Sequence, residues 1–204
     1  MKIRTVVAGP IGTNCYILCD EAEKRCAVID PGGDARRIAA VAEGEGCTPC
    51  AIFLTHGHYD HTGAAEELAQ LWNVPVYLNR RDANPADAYA AQLFPRVAGT
   101  LDYDEGDVLK VGSLDVTVMA TPGHSEGSVV LRCGNVLFCG DTLFAGSCGR
   151  TDFPGGSMQK ILKSLKRLAQ LEGNLQVLPG HMDASDLDYE RRTNPYIAHA
   201  MKTV

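Results

Sequence analysis

The sequence predicts an α/β (α+β) fold in one domain, with two β-rich halves forming two sheets flanked by helices. Three observations carry this. Short apolar or alternating runs recur along the chain, each closed by Gly, Pro or Asn. Segments with apolar residues at helical spacing lie between them. No linker-like or low-complexity stretch and no composition break divides residues 1–204, and 204 residues that are 45% hydrophobic can bury a sizeable core.

In chain order, residues 2–8, 15–19 and 25–30 read as strands, the last ended by Asp30-Pro31-Gly32-Gly33. Residues 34–44 read as a helix, with Asp34 as its cap and Ile38, Ala39, Val41 and Ala42 as its apolar face. The buried strand 51–55 runs straight into His56-Gly57-His58-Tyr59-Asp60-His61. A helix over 62–72, with Ala65, Leu68, Ala69 and Trp72 in register, leads to a strand at 74–78. The polar, Ala-rich stretch 80–107, with Pro85 and Pro95, reads as a short helix and surface loops. Strands at 108–111, 114–120, 128–133 and 135–139 open the second half. The helix 157–171 sets Ile161, Leu162, Leu165 and Leu168 against a solvated face of Lys160, Lys163, Lys166 and Arg167. A strand at 175–178 ends at Pro179-Gly180-His181, and a C-terminal helix follows.

Charge and composition exclude several classes of function. Nineteen basic against twenty-five acidic residues give a net charge of −6, which argues against a nucleic-acid partner. No apolar run approaches the roughly 18 residues of a membrane span, and the first ten residues hold no signal-peptide core. Eight cysteines without an export signal point to reduced thiols and a cytoplasmic location. Cys47-Thr48-Pro49-Cys50 has the spacing of a redox pair or half a zinc knuckle. It lacks a second pair and precedes a strand, so it reads as structural.

Histidine carries the functional signal. There are only six, and three fall within the six positions 56–61, directly after a buried strand. Neutral imidazoles and a carboxylate are ligands that zinc and iron favour. A helix N-terminus capped by Asp60 would explain one residue of this cluster and none of the histidines. Two more histidines repeat the strand–turn–His pattern, at Thr121-Pro122-Gly123-His124 and Leu178-Pro179-Gly180-His181. Between them Phe138-Cys139-Gly140-Asp141 places an aspartate at a further strand end, where it can bridge two ions.

Together, His56, His58, Asp60, His61, His124, Asp141 and His181 resemble, in order and spacing, the motif set of the metallo-β-lactamase superfamily. The resemblance implies an αββα four-layer sandwich with metals held at one edge between the sheets. It implies that His56, His58 and His124 bind one ion, that Asp60, His61 and His181 bind a second, and that Asp141 bridges them. Asp60 and Asp141 are then the catalytic carboxylates. Two divalent ions, zinc foremost and iron or manganese as alternatives, bring +4, and the two aspartates return −2. A bridging water would be acidified toward a pKa of roughly 7, giving a hydroxide nucleophile. The residual positive charge favours a small anionic substrate.

Within the superfamily, flavodiiron members carry Glu where His58 stands, and the commonest β-lactamases carry Cys where Asp141 stands. Nuclease members add a large extra domain. Asp141 and the stretch Gly140–Gly156 resemble the short bacterial glyoxalase II-like (hydroxyacylglutathione hydrolase-like) proteins, as do Glu190 and Thr193-Asn194-Pro195-Tyr196. That resemblance implies a thioesterase acting on a hydroxyacylglutathione or another acyl thioester, with Arg150 as a substrate contact. An ion pair of Arg150 with Asp152 is the structural alternative. Full-length glyoxalase II enzymes have a longer C-terminal helical region that grips glutathione, whereas this chain ends about one helix after His181. The alternative activity is a mononuclear-iron persulfide dioxygenase using His56, His124 and Asp141, and a non-catalytic metal-binding protein is the second alternative.

Overall fold

Strands of this chain alternate apolar residues that face opposite ways, and both faces are buried. A computed structural model describes residues 1–204. In it β1 (Lys2–Ala8), β2 (Thr13–Asp20), β3 (Arg25–Ile29), β4 (Thr48–Leu54) and β5 (Val76–Leu78) form a five-stranded sheet in that order. The first three are antiparallel, and β3, β4 and β5 are parallel. Helices α1 (Ala35–Gly44), α2 (Tyr59–Thr62) and α3 (Ala65–Trp72) fall in the crossovers of this half, and α4 (Arg80–Ala83) and α5 (Ala88–Leu93) follow it. A six-stranded sheet comprises β6 (Val108–Val111), β7 (Leu114–Ala120), β8 (Val129–Cys133), β9 (Val136–Gly140), β12 (Gln176–Pro179) and β13 (Ser185–Asp186), in the order β13-β12-β9-β8-β7-β6. A separate hairpin pairs β10 (Leu143–Phe144) with β11 (Ser147–Cys148), and α6 (Met158–Ala169), α7 (Leu187–Thr193) and α8 (Pro195–Thr203) complete the chain.

Three apolar layers follow from the alternation. Leu18, Ile29 and Phe53 face Val118, Leu131 and Phe138 between the two sheets. Their strand neighbours Ile17, Val28 and Ile52 point outward to Ile38 and Ala42 of α1 and Leu68 of α3. On the opposite outer face Val130, Leu137 and Val177 pack against Ile161, Leu165 and Leu168 of α6 and Ile197 of α8. The architecture is therefore an αββα sandwich, as expected. Each fully buried Leu, Ile or Phe contributes about 1.5–3 kcal/mol relative to an exposed one.

The sheets are tied to each other at one end. The Asn14 amide donates to Gly180 O at 2.7 Å, and Val129 N donates to Thr55 O at 2.9 Å. The buried Tyr16 hydroxyl donates to Pro179 O at 2.6 Å, and Asn14 Nδ2 donates to Pro179 O and Met182 O. Strands β3 and β4 of the first sheet, and β9 and β12 of the second, all end here. So does β7, which runs antiparallel to β8 as β9 does.

Local departures from the sequence reading have physical causes. Asp34 does not cap α1 with its side chain; it adopts a left-handed conformation and its carboxylate accepts Gly9 N instead. The helix expected over 62–72 is broken at Gly63 into α2 and α3, so Asp60 and His61 sit on a helical turn. The stretch 80–107 holds two short helices, each capped by a side chain, Asn79 and Asp87. The C-terminal helix divides at Asn194-Pro195, where Asn194 caps α8. Cys47 packs on the outer face of the first sheet and Cys50 against the inter-sheet layer, so alternation separates the CxxC thiols. The basic face of α6 is not wholly solvated, because Lys160 pairs with Glu126 and Arg167 with Glu105.

Tyr16→Phe keeps the ring and removes only the bond to Pro179. It is expected to cost about 1 kcal/mol, or about 2–4 °C in Tm, measured by thermal unfolding. An unchanged Tm would show that this bond does not hold the sheets together.

Candidate metal centre

The joined strand ends present their following residues to one point. His56 follows β4, His124 follows β7, Asp141 follows β9 and His181 follows β12; α2 supplies Asp60 and His61. The ligand atoms fall into three overlapping groups: His56, His58 and His124; His56, His61 and Asp141; and Asp60, His61 and His181. Within each group they lie within 4.8 Å of one another. All seven residues read from the sequence are thus brought together. His199 is not; it lies on the exposed side of α8.

Asp141 stands between the histidine groups. Its Oδ1 is 3.3 Å from His61 Nε2, while Oδ2 is 3.5 Å from His124 Nε2 and 3.8 Å from His181 Nε2. Asp60 Oδ2 lies 3.1 Å from His181 Nε2 and 3.4 Å from His61 Nε2. Two ligand atoms about 2.1 Å from one ion at a tetrahedral angle sit about 3.4 Å apart, so these spacings suit shared cations. Only His58 Nδ1 and His124 Nε2 are closer, at 2.8 Å.

The unpaired polar atoms give the sharper test of fit. His56 Nε2 and His58 Nε2 are buried with no hydrogen-bond partner in the chain, and His61 Nε2 and Asp141 Oδ1, 3.3 Å apart, attract each other without forming a hydrogen bond of good geometry. Leaving such groups unpaired costs about 1–3 kcal/mol each. Their other atoms are already engaged, since His56 Nδ1 meets Thr55 Oγ1 at 3.1 Å and His61 Nδ1 meets Asp30 Oδ2 at 3.0 Å. His124 Nδ1 donates to Arg150 O at 2.8 Å, which directs Nε2 inward. The donor set fits divalent metal ions.

Burial and neighbouring imidazoles tune the protonation. Burial, then His61 and the other imidazoles, hold His56 well below the usual imidazole range, and burial with His124 and His61 pushes His58 down to about 3. Both are neutral at pH 7 and available as ligands. Burial alone would raise Asp141 and lower His61. Their mutual attraction, with Asp30 added on His61, reverses both, so Asp141 is depressed and His61 raised well above its ordinary value.

Several supporting residues escaped the sequence reading. Asp30, read as a turn residue, has φ +52 and accepts bonds from Thr55 N and Thr55 Oγ1 while facing His61. An aspartate ending a strand parallel to that of His56 was the available signal. Asp82 is buried on α4, where the polar sequence gave no signal. Its carboxylate accepts Gly57 N, Ser125 Oγ and Gly127 N, joining the loop of His56 and His58 to that of His124. Burial raises its pKa, in part offset by these bonds.

Two glycines permit the close approach. Gly140 has φ +46, and a Cβ there would lie 2.2 Å from Thr55 Oγ1. A Cβ at Gly180 would lie 2.4 Å from Asp141 Oδ1 and 2.6 Å from His61 Cε1. Beside the cluster a cavity of about 420 Å³ opens, rimmed by Ile11, Tyr59, Phe144, Arg150, Phe153 and Met182. Arg150 is exposed there, and its Nε and Nη2 donate to the Asp152 carboxylate at 2.7 Å each.

The sequence profile described as the Metallo-beta-lactamase superfamily matches residues 8–181, from β1 through the last of these histidines. The chain belongs to the metallo-β-lactamase superfamily. Among relatives in that superfamily, the probable metallo-hydrolase YqgX of Bacillus subtilis is 35% identical over 215 residues, covering 97% of this chain and 98% of its own. The hydroxyacylglutathione hydrolase GloC of Haemophilus influenzae is 31% identical over 219 residues, covering 97% and 98%. Among solved structures, the BLEG-1 B3 metallo-beta-lactamase has a TM-score of 0.85 at 33% identity, covering 96% of this chain and 99% of its own. TTHA1623 in a di-iron-bound form has 0.82 at 34%, covering 95% and 100%. ETHE1 from Myxococcus xanthus has 0.83 at 28%, covering 100% and 91%. By superfamily and relatives the chain is a metal-dependent hydrolase. No helix is long and apolar enough to cross a membrane.

Two outcomes test the centre. Chelation is expected to lower Tm by about 5–10 °C relative to protein holding ions at a hundred times Kd, measured by calorimetry. Gly180→Ala is expected to reduce bound metal by at least about half while leaving the far-ultraviolet circular dichroism unchanged. Full metal content in that variant would show that Asp141 and His61 do not need their present approach.

Proposed function

We propose that this chain, acting as one domain, is a binuclear metal-dependent thioesterase that cleaves small acyl thioesters, a class that includes the hydroxyacylglutathiones. The observation that carries the reading is the position of Asp141, whose Oδ1 faces His61 while its Oδ2 faces both His124 and His181, so that one carboxylate reaches both histidine groups. One group is His56, His58 and His124; the other is Asp60, His61 and His181, with zinc or iron as the fitting ions. Ions bound there supply an acidified water and a Lewis acid for the carbonyl. The similarity to GloC supports the thioester substrate.

The chain's own groups orient the reaction. Asp60, held by Thr13 Oγ1 at 3.3 Å, receives the proton of the attacking water and passes it to the leaving sulfur. Asp30 and Thr55 fix the rings of His61 and His56, so the donors are arranged before substrate enters. The cavity beside them admits the thioester from the side of His181, the least buried of the five clustered histidines. Water adds to the acyl carbon, the C–S bond breaks, and a carboxylate, a thiol and one proton are released.

A persulfide dioxygenase is the second reading, favoured by the similarity to ETHE1. It would use His56, His124 and Asp141 on one iron and leave the donors of His58, Asp60, His61 and His181 without an ion. The panel that separates these readings is lactoylglutathione, coenzyme A thioesters, a persulfide and a β-lactam, the last because of the likeness to the B3 enzyme. Two ions per chain with oxygen-independent thioester cleavage is the expected result. One iron with persulfide-dependent oxygen uptake would sink the thioesterase reading. Asp141→Ala is expected to lower kcat at least about a thousandfold and to lose metal, whereas His199→Ala changes neither.

A further inference from the structure

The rim of the cavity carries only one cationic side chain, and that one is spoken for. Arg150 gives Nε and Nη2 to the Asp152 carboxylate in a fork of two 2.7 Å bonds. The face of its guanidinium lies over Phe153, 3.7 Å from the ring centroid. Phe153 in turn meets the His58 ring edge-on at 5.8 Å. The guanidinium face is thus stacked on the wall of the site, while both side chains of the pair remain exposed to solvent. Asp152 is depressed to about 2 by its bonds from Arg150, so it stays ionised at neutral pH.

Around this neutral pair the rim is apolar. Ile11 and Met182 are 53% and 57% exposed, and Tyr59 is 42% exposed. Phe144 and Phe153 are half-buried beside them. Large apolar groups exposed side by side at the mouth of a cavity mark a surface that is covered when ligand binds. A glutathione moiety brings two carboxylates, and a coenzyme A moiety brings phosphates. Free cations bind both most strongly, and a carboxylate reaching Arg150 meets a guanidinium whose charge is already balanced by Asp152.

We infer that the mouth selects thioesters whose outer portion is uncharged and apolar, and that Asp152 sets this preference by neutralising Arg150. The inference rests on the thioesterase reading and narrows its substrate class. The expectation of an anionic substrate drew on the net charge of the metal centre. That charge acts on the acyl carbonyl at the bottom of the cavity, whereas the outer part of the substrate meets Ile11, Met182 and a compensated arginine.

The test compares two thioesters of one acyl group, lactoylglutathione and the lactoyl thioester of benzyl mercaptan, on metal-loaded wild type, Asp152→Asn and Met182→Ser. Wild type is expected to favour the benzyl thioester in kcat/KM by at least about tenfold. Asp152→Asn is expected to improve lactoylglutathione about five- to tenfold through KM alone, with kcat unchanged, the effect of freeing one cation. Met182→Ser is expected to weaken the benzyl thioester severalfold more than it weakens lactoylglutathione. Calorimetric binding of S-methylglutathione and of S-benzyl-N-acetylcysteamine to each protein gives the same ordering without turnover. Wild-type preference for lactoylglutathione, or an Asp152→Asn variant no better on it, overturns the inference and leaves the thioesterase intact. Cleavage of neither thioester overturns both.

Discussion

Concentrated burial of ionisable groups at a single seam governs this structure. Five imidazoles and two carboxylates meet where the sheets join, and His56 and His61 are wholly excluded from solvent. Taking such groups out of water is unfavourable unless they neutralise each other or share a cation. Asp141 and His61 do the first; the unpaired Nε2 of His56 is placed to do the second. Every nearby feature serves to hold these groups together. The bonds from Asn14 and Tyr16 to the end of β12 keep the sheets from parting, and the bare Cα of Gly180 lets β12 approach.

The scaffold makes the seam possible because strand direction and strand ends are shared. In the first sheet β3 and β4 deliver Asp30 and His56 side by side; in the second β9 and β12 deliver Asp141 and His181. Parallel neighbours in open sheets gather functional residues at their carboxyl ends. Here two such sheets face each other, so one sheet supplies His56, His58 and His61 and the other His124, His181 and the central carboxylate of Asp141. The hydroxyacylglutathione hydrolase of Haemophilus influenzae and the di-iron form of TTHA1623 match this chain over 95% or more of its length.

Much of this was legible in the residues. Strands 2–8, 108–111 and 114–120 lie where alternation set them, and all seven clustered residues follow apolar runs that end in turns. Such signals are local and survive without tertiary knowledge. The hairpin of β10 and β11 was not legible, because two-residue strands have no periodicity. Nor was the break between α2 and α3, where Gly63 crowds against Gly32 so closely that a Cβ would lie 2.6 Å from its carbonyl oxygen. Asp82 was hidden for a deeper reason. Its partners Gly57 and Gly127 are far away in sequence, and nothing near residue 82 records that a loop 45 positions later will close over it. The partner of Arg150, by contrast, stands two residues away and was weighed from the start.

The buried Glu190 has a consequence for motion. One oxygen accepts the Gly146 amide in the β10–β11 turn and the other accepts Ser185 Oγ, just past the segment that carries His181 and Met182. Asn194, bonded to the same carboxylate, also grips Phe144 O and Ser147 O. The hairpin and the post-His181 segment therefore share one anchor on α7. Displacing one side of the entrance therefore strains the bonds that hold the other, and a single buried carboxylate fixes the spacing between them.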